Sequence, residues 1–335
     1  MRQSSQHMPG LSQQFIESAQ FYDYRRASNP LRDGGVHPIP GARFAAQLHE
    51  QGPTQILPLD TSSALGSEGT ATTPGLCANF IHVQPDDSIC TNVNATSQLF
   101  FVMRGQGTSC FPSDGGTDRS PLQEITWKTG DLFTLPAQSR AEHFVNEDTA
   151  IYWVHDAPLL QYLGATATTP RFQPTLYPHQ NIQEALDAVI DSPESAEANR
   201  LSVLLGNKQF SESMTITHVL WAMFGILPVD TIQSPHRHQS VAVDLVVDAK
   251  PGCYTMVGKQ LAADGSIEDG ERFDWQRHSV FVTPPGLWHS HHNESGQPAY
   301  ILPIQDAGLH TYLRTLNILF SRHTPEGHDI LEDAG

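Results

Sequence analysis

Three histidines form the strongest chemical pattern of the sequence. His236 and His238 are separated by one residue, and His289 follows a Pro-Gly turn that begins at Pro284. In a β-strand, side chains at positions i and i+2 point to the same face, so both imidazoles of the pair can reach one ion. Neutral imidazole is a common ligand of divalent transition metals. The pair alone is weak support for a metal site, but together with His289 it predicts a centre of three histidines.

Short β-rich runs surround these histidines and must position them. Gly and Pro separate the runs, which are rich in β-branched and aromatic residues and therefore predict strands. The runs are FFVMRG, DLFTLP, AIYWVH, AVDLVV, CYTMVG, SVFVTP and AYILPI. Helices are expected only at residues 13–27, 181–190 and 309–320, of which residues 181–190 have the clearest helical spacing. A mainly β fold with a few flanking helices follows.

The two halves of the chain repeat each other. Three landmarks recur in the same order: Pro85–Ile89 with Pro228–Ile232, Trp127–Pro136 with Trp275–Pro284, and Asp156–Leu163 with Asp306–Leu313. A duplication explains this order and predicts two antiparallel barrels. The predicted parts are an N-terminal arm (1–45), a first barrel (46–175), a helical linker (176–205) and a second barrel with the metal site (206–335).

The second half resembles the cupin family. The cupin pattern P-x-G-x-x-H-x-x-x-N is matched in full by Pro284, Gly286, His289 and Asn293, and the H-x-H pair precedes it. The usual glutamate of the first cupin segment is missing, because its expected place falls at Ala242 or Val243. This departure resembles the bicupins of the gentisate, salicylate and 1-hydroxy-2-naphthoate 1,2-dioxygenase group. The resemblance implies two cupin barrels, of the double-stranded β-helix or jelly-roll type, in tandem.

The resemblance also implies a chemistry. In that group three histidines hold Fe(II), and the enzyme opens a hydroxylated aromatic ring with O2. Cupins also carry lyase, isomerase and decarboxylase reactions, often with Mn, Ni or Zn, and a fold does not decide a reaction. A non-catalytic, metal-binding accessory subunit is a further alternative. The expected partners are a small aromatic substrate and O2.

Four residues near the triad are expected to act on the substrate. His291 lies two residues after His289 and therefore faces the same cavity; the resemblance implies that it contacts substrate and acts in catalysis. Gln239 and Trp288 are assigned to substrate contact, with packing as the alternative for Trp288. Asp244 stands where the group typically has an arginine for the substrate's carboxylate. An aspartate repels a carboxylate, which favours a hydroquinone-like or aminophenol-like substrate over a gentisate-like one.

Asp244 has a second interpretation, in which it lies at the barrel rim and pairs with Arg237 or Arg272. Hydroquinone-cleaving enzymes pair a large cupin subunit with a smaller one, so a second subunit is an open alternative.

The first barrel is predicted to be metal-free and structural. Alignment of the repeats places Asn92 and Asn94 at the H-x-H positions and Gln98 at the glutamate position. The third ligand position falls on Ala141 or Glu142. Neutral amides are poor ligands for Fe(II) beside imidazole.

Composition limits the other classes of partner. The formal net charge of −17 over 335 residues argues against nucleic acid and anionic membranes. No apolar run reaches the length of a membrane span. The four cysteines, which form no C-x-x-C pair, suggest a reduced, cytoplasmic protein. A homo-oligomer is expected from the resemblance to cupins.

Overall fold

The structure is a computed structural model that describes residues 16–31, 34–113, 121–137, 139–196, 198–324 and 327–332. The chain divides into two compact units, residues 1–38 and residues 39–335. In the first unit, helix α1 (Tyr24–Ala27) begins after Asp23, whose side chain accepts a hydrogen bond from the backbone N–H of Arg25. The described residues of this unit are almost all exposed.

Antiparallel strands dominate the second unit. Its first part contains β1 (Arg43–Phe44), β2 (Gln55–Pro58), β3 (Cys77–Val83), β4 (Ser88–Thr91), β5 (Ser97–Arg104), β6 (Gln106–Pro112), β7 (Leu122–Lys128), β8 (Leu132–Pro136), β9 (Ala141–Val145), β10 (Thr149–His155) and β11 (Thr175–Tyr177). Its second part contains β12 (Leu201–Leu205), β13 (Trp221–Leu227), β14 (Thr231–Arg237), β15 (Ala242–Asp248), β16 (Cys253–Gly258), β17 (Gln260–Leu261), β18 (Ile267–Glu268), β19 (Glu271–Asp274), β20 (Val280–Thr283), β21 (Trp288–Asn293), β22 (Ala299–Gln305), β23 (Leu319–Thr324) and β24 (Gly327–Leu331).

The helices of this unit are few and short. They are α2 (Gln47–Glu50), α3 (Ser62–Leu65), α4 (Ala157–Leu163), α5 (His179–Ile190) and α6 (Ala307–Leu313), with 3₁₀ turns at Pro193–Ala196 and Lys208–Phe210. No helix in the described ranges is long and apolar enough to cross a membrane.

Each half of the unit builds a barrel from two facing sheets. The first barrel joins the sheets β11-β8-β5-β10-β3-β2 and β4-β9-β6-β7. The second joins β1-β20-β15-β22-β13-β12 and β19-β16-β21-β14-β23-β24. The prediction of a mainly β fold with two tandem barrels is confirmed. Residues 43–44 of the predicted arm pair with β20 of the second barrel, and the predicted boundaries at 45, 175 and 205 remain a prediction.

Two of the three six-stranded sheets, β11-β8-β5-β10-β3-β2 and β1-β20-β15-β22-β13-β12, share one hydrophobic core. Strands β5 and β10 are buried along almost their whole length, because one face lines their own barrel and the other packs on the neighbouring barrel. The Tyr152 hydroxyl in this core donates a hydrogen bond to the carbonyl of Val243 at 3.3 Å. Ile182 and Leu186 of α5 are buried in the same core. Val243 and Leu245 of β15 belong to the same core, so the strand that carries Asp244 packs against the first barrel.

Two of the three helix predictions need correction. The helix expected at residues 181–190 is confirmed within α5. The helix expected at 13–27 starts outside the described residues, and in the described part the assigned helix is α1, Tyr24–Ala27. The helix expected at 309–320 ends at Leu313, because Arg314 adopts a left-handed φ of +58° and β23 then begins at Leu319.

The register of the strands corrects the alignment of the two halves. In β14 the pairing with β21 shifts by one residue between Gln233 and His236, which marks a β-bulge. Strand β4 pairs with β9 without a shift, and Thr91 lies opposite Ala141 as His236 lies opposite His289. The counterparts of His236 and His238 are therefore Thr91 and Val93, not Asn92 and Asn94.

Candidate metal centre

Strand pairing brings the three predicted ligand histidines to one point of the second barrel. His236 of β14 lies opposite His289 of β21. His238 follows the end of β14, and its carbonyl accepts a hydrogen bond from the backbone N–H of Gly286 at 2.7 Å. Gly286 has a φ of +74°, a conformation that favours glycine. The Pro-Gly turn before His289 is therefore tied directly to His238.

The three imidazoles are close enough to hold one ion. One ring nitrogen from each lies within 4.8 Å of the others, and within the described ranges no other group of three or more His, Cys, Asp or Glu side chains comes as close. The ring centroid of His289 is 3.9 Å from that of His236 and 4.9 Å from that of His238. Each side chain is at most 3% exposed.

The hydrogen bonds of the triad leave the same nitrogen, Nε2, unprotonated on each ring. The Nδ1 atoms of His238 and His289 lie 2.8 and 3.2 Å from the backbone carbonyls of Ser240 and Leu287, which can only accept. These Nδ1 atoms therefore carry the proton. The His236 Nε2 atom faces a donor, Arg200 Nη2, at 2.5 Å, so it is unprotonated. All three Nε2 atoms thus carry a lone pair, and that of His236 accepts the hydrogen bond from Arg200 in this structure.

Burial keeps the triad neutral. It lowers the pKa of His238 to about 4 and the pKa values of His236 and His289 well below the ordinary value. Arg200 lowers the pKa of His236 further. The Nε2 atom of His238 is buried and has no hydrogen-bond partner among the described residues. The buried, unpartnered lone pair of His238 beside two further neutral imidazoles fits a divalent metal ion.

Arg200 reaches the centre from the residue before β12, and sequence analysis missed it. Its side chain is partly buried with a buried Nε atom, and its Nη2 atom lies 2.5 Å from His236 Nε2 and 3.4 Å from His291 Nε2. Burial lowers the pKa of Arg200 to about 10, while Asp244 opposes this shift, so the side chain is a cation at neutral pH. In the sequence, Arg200 is marked only as a charged residue directly before the apolar strand β12.

His291 lies beside the triad, as its spacing predicts. Its ring centroid is 5.9 Å from that of His289 and 6.0 Å from that of His236. Its Nδ1 atom lies 2.8 Å from the hydroxyl of Thr255, and its Nε2 atom faces the guanidinium of Arg200. The ring therefore borders the same space as the three ligand candidates.

Asp244 is inside the barrel rather than at its rim. It is 3% exposed and accepts a hydrogen bond from the Thr283 hydroxyl at 2.6 Å. Burial raises its pKa to about 7, while Thr283 and the charge of Arg200 oppose the shift. Arg237 instead lies over the ring of Trp288, and Arg272 pairs with Asp274. The cation that acts on Asp244 is therefore Arg200.

The two remaining predicted residues lie farther out. Gln239 is exposed, and its side-chain oxygen accepts a hydrogen bond from the backbone N–H of Asn317. Trp288 is buried, and its ring lies 4.8 Å from the guanidinium carbon of Arg237. Trp288 precedes His289 in the same strand, so its side chain points to the opposite face. The structure does not bring either residue into contact with the triad.

The matching space of the first barrel is filled by aromatic rings. Phe100 occupies in β5 the place that Asp244 has in β15. Its ring stacks on Phe133 with centroids 4.7 Å apart and on Trp153 with centroids 5.7 Å apart. Ala141 takes the third ligand position. These positions offer methyl, hydroxyl and aromatic groups in place of imidazoles.

The chain is similar in sequence to ring-cleaving dioxygenases. It is 30% identical over 148 residues to gentisate 1,2-dioxygenase 1 of Aquipseudomonas alcaligenes, across 43% of this chain and 39% of that protein. It is 26% identical over 178 residues to a 1-hydroxy-2-naphthoate 1,2-dioxygenase of Nocardioides sp. (strain KP7), across 53% of this chain and 41% of that protein. The aligned segments thus span well under half of these relatives. No family model matches the chain.

The fold matches that of a solved structure over nearly the whole chain. The salicylate 1,2-dioxygenase of Pseudaminobacter salicylatoxidans superposes with a TM-score of 0.66 at 14% identity, over 92% of this chain and 97% of that one. The chain therefore shares the fold of that enzyme. Its expected resemblance to the gentisate, salicylate and 1-hydroxy-2-naphthoate dioxygenase group is confirmed by the sequence and structural matches together.

Proposed function

We propose that the chain is an Fe(II)-dependent ring-cleaving dioxygenase that opens a hydroxylated aromatic ring with O2, and that His236, His238 and His289 hold the iron. The observation that carries the proposal is the convergence of three buried, neutral imidazoles, of which His238 has a buried Nε2 atom without a partner among the described residues. The sequence similarity to ring-cleaving dioxygenases supports the same reaction class.

The iron would supply, when bound, a site where O2 and an aromatic hydroxyl are activated side by side. The side chains of the protein exclude water and bind the substrate. Burial of the triad excludes water and strengthens electrostatic interactions in the site. Arg200 and His291 border the site from one side and offer nitrogens to the substrate's oxygens.

Arg200 favours an aromatic acid as substrate. A guanidinium whose buried Nε atom has no hydrogen-bond partner among the described residues is a carboxylate-binding group. Asp244, on which the expectation of a carboxylate-free phenol rested, acts instead as a partial counter-charge to Arg200. It remains able to accept a hydrogen bond from a second hydroxyl or amino group of the ring. A gentisate-like substrate, with a carboxylate and two polar ring substituents, satisfies both residues.

We also propose a cellular compartment and an oligomeric state for the protein. The four cysteines are free thiols, which supports a reducing, cytoplasmic compartment. Phe21, Tyr22 and Tyr24 are more than two-thirds exposed, and apolar exposure of this kind supports association of copies into a homo-oligomer. Light scattering of the purified chain measures the second point directly.

Oxygen uptake tests the proposed reaction. The chain, reconstituted anaerobically with Fe(II), is mixed with gentisate, salicylate, 1-hydroxy-2-naphthoate or hydroquinone while oxygen and ultraviolet absorbance are recorded. We expect one O2 consumed per ring opened, fastest with gentisate, and both atoms of labelled O2 in the product. The His289→Ala variant serves as the inactive control.

Three outcomes would contradict parts of the proposal. Iron binding without oxygen uptake on any of these substrates would favour another metal-dependent cupin reaction or an accessory role. Turnover of hydroquinone far above gentisate would refute the role of Arg200 as a carboxylate-binding group. Equal activity of the His289→Ala variant would refute the ligand assignment.

A further inference from the structure

Strand β23 extends the row of side chains that contains two of the ligand histidines. Across the sheet, His289 of β21 lies opposite His236 of β14, and His236 lies opposite Phe320 of β23. Residues directly opposite each other in a sheet have their side chains on the same face. The side chain of Phe320 therefore faces the interior of the second barrel, as the histidines do, and it is only 9% exposed.

The ring of Phe320 stacks on the imidazole of His236. The two ring centroids are 5.8 Å apart and the ring planes differ by 15°, an arrangement that is favourable for aromatic rings. A phenyl ring has no hydrogen-bonding atom, so this contact leaves both imidazole nitrogens available. A metal ion on Nε2 would replace the hydrogen bond from Arg200, whereas the stack does not involve that atom.

His236 lacks the hydrogen bond that orients the other two ligand candidates. The Nδ1 atoms of His238 and His289 lie 2.8 and 3.2 Å from backbone carbonyls. The Nδ1 atom of His236 is buried and has no hydrogen-bond partner in the described part of the chain. Ligand histidines are almost always oriented by a hydrogen bond from their second nitrogen. The ring of His236 must therefore be oriented by a different contact.

Polar contacts before and after the stacked ring hold β23 in place. The backbone N–H of Asn317, just ahead of the strand, donates to the side-chain oxygen of Gln239 at 2.9 Å. The hydroxyl of Ser321 donates to the carbonyl of Gly265 at 3.4 Å. Because Gln239 directly follows the histidine pair, the segment that carries the ligands also anchors the strand that carries the phenyl ring.

The first barrel repeats this anchor but not the strand. Asn94 accepts a hydrogen bond from the backbone N–H of Ala167 at 2.9 Å, as its counterpart Gln239 does in the second barrel. Three residues later stands Pro170, where the second half has Phe320. The chain then forms β11, which pairs with β8 in the other sheet, and β4 remains at the edge of its described sheet. The half without the ligand histidines is thus also the half without this strand.

We propose that Phe320 is a positioning residue of the metal centre, which orients the imidazole of His236 by stacking, and that strand β23 serves to present it. The role in metal binding rests on the ligand assignment in the proposed function, whereas the contact between the two rings does not. The phenyl ring takes the place of the hydrogen bond that orients the rings of His238 and His289.

Metal affinity tests this role without any turnover. Zn²⁺ binding to the full chain is measured by competition with a chelator for the wild type, for Phe320→Leu, which removes the ring, and for Phe320→Tyr, which keeps it. Leu319→Ala is the matched control, because Leu319 lies in the same strand opposite Arg237 and its side chain points to the other face. Urea unfolding of the metal-free proteins gives the stability of each variant.

We expect the Zn²⁺ affinity to fall by about 10-fold in Phe320→Leu, at the lower end of the range for groups that orient a ligand. Phe320→Tyr and Leu319→Ala should retain the affinity of the wild type, even where urea unfolding shows a loss of stability. In the metal-free wild type, nuclear Overhauser spectra should show contacts between the ring protons of Phe320 and His236.

The absence of these ring contacts in the wild type would overturn the proposal, whether or not the variants fold. Unchanged affinity in a folded Phe320→Leu variant, or an equal loss in Leu319→Ala, would overturn it as well. Wild-type affinity in His236→Ala would refute the ligand assignment and this proposal together. The expected affinities in a protein that opens no aromatic ring would support the role of Phe320 and count against the proposed reaction only.

Discussion

The side chain of Asn199 holds the backbone of Ser234 at the bulge in β14. Its Oδ1 atom accepts a hydrogen bond from the Ser234 N–H at 2.6 Å, and its Nδ2 atom donates to the Ser234 carbonyl at 3.4 Å. Pro235, the next residue, has no N–H for the sheet. The bulge redirects the strand just before His236, and the residue after Asn199 is Arg200. One side chain therefore positions a ligand histidine and this cation together.

Removal of this clamp should weaken metal binding. In Asn199→Ala the bulge loses both polar partners, so His236 and Arg200 are held less firmly. We expect metal affinity to fall by about 10- to 100-fold, the range typical of groups that orient a ligand. A competition titration of the purified variant against a chelator measures this.

Asn207→Ala is the matched control, because Asn207 also uses its side-chain oxygen to accept a backbone N–H, that of Gln209, away from the triad. It should lower stability without changing metal affinity. A similar loss of affinity in both variants would show that the effect of Asn199 is one of general stability.

Each ligand histidine should be required for stoichiometric metal. We expect His236→Ala and His289→Ala to retain the fold by circular dichroism and to lose bound iron, since two imidazoles bind far more weakly than three. His292→Gln is the control: its ring stacks on Tyr254, 4.5 Å between centroids, on the other face of β21. One iron per chain in either alanine variant, measured by elemental analysis, would contradict the assignment.

Arg200 should separate substrates that carry a carboxylate from those that do not. In Arg200→Gln we expect kcat/KM for gentisate to fall by roughly 10- to 100-fold, the value of one or two charge-assisted hydrogen bonds. Hydroquinone should be affected much less. Arg237→Gln, which alters a guanidinium stacked on Trp288, should change neither. Equal losses on both substrates in Arg200→Gln would indicate a role in holding His236.

The buried His143 should make the chain less stable in mild acid. Burial lowers its pKa from 6.5 to about 3, so the folded chain keeps the ring neutral where the unfolded chain binds a proton. Between these two pH values the unfolded state binds more protons, and the free energy of unfolding falls as pH drops. The slope from this one residue is about 1.4 kcal/mol per pH unit below pH 6.5.

Urea unfolding of the wild type and of His143→Gln at pH 7, 6 and 5 isolates that contribution. The other buried histidines, such as His155, remain in both proteins and cancel in the difference. Parallel pH profiles for the two proteins would show that His143 does not titrate on unfolding.

The ligand histidines were predictable from sequence because local rules govern them. His236 and His238 follow the two-residue period of a strand, and the Pro-Gly turn before His289 is a compact signal. Arg200 and Thr255 were not predictable in the same way. Each reaches the centre from a different strand, and only the register of the sheets shows that they meet there.

The predicted counterpart of His236 in the first half was wrong by one residue, and the reason is physical. Sequence alignment of the repeat matched Asn92 with His236. The bulge adds a residue to β14 that β4 does not have, so Thr91 is the true counterpart. A β-bulge leaves no reliable mark in a single sequence except, here, the proline beside it.

The aromatic stack of the first barrel limits what redesign of this chain could achieve. Histidines at Thr91, Val93 and Ala141 would copy the ligand set, but they would enter a space already closed by Phe100 and Phe133 at 4.7 Å. Added volume in a filled core typically costs about 1–3 kcal/mol per substitution. A version with a second set of three histidines would have to give up part of this ring stack first, so the second set would come at the expense of the core of the first barrel.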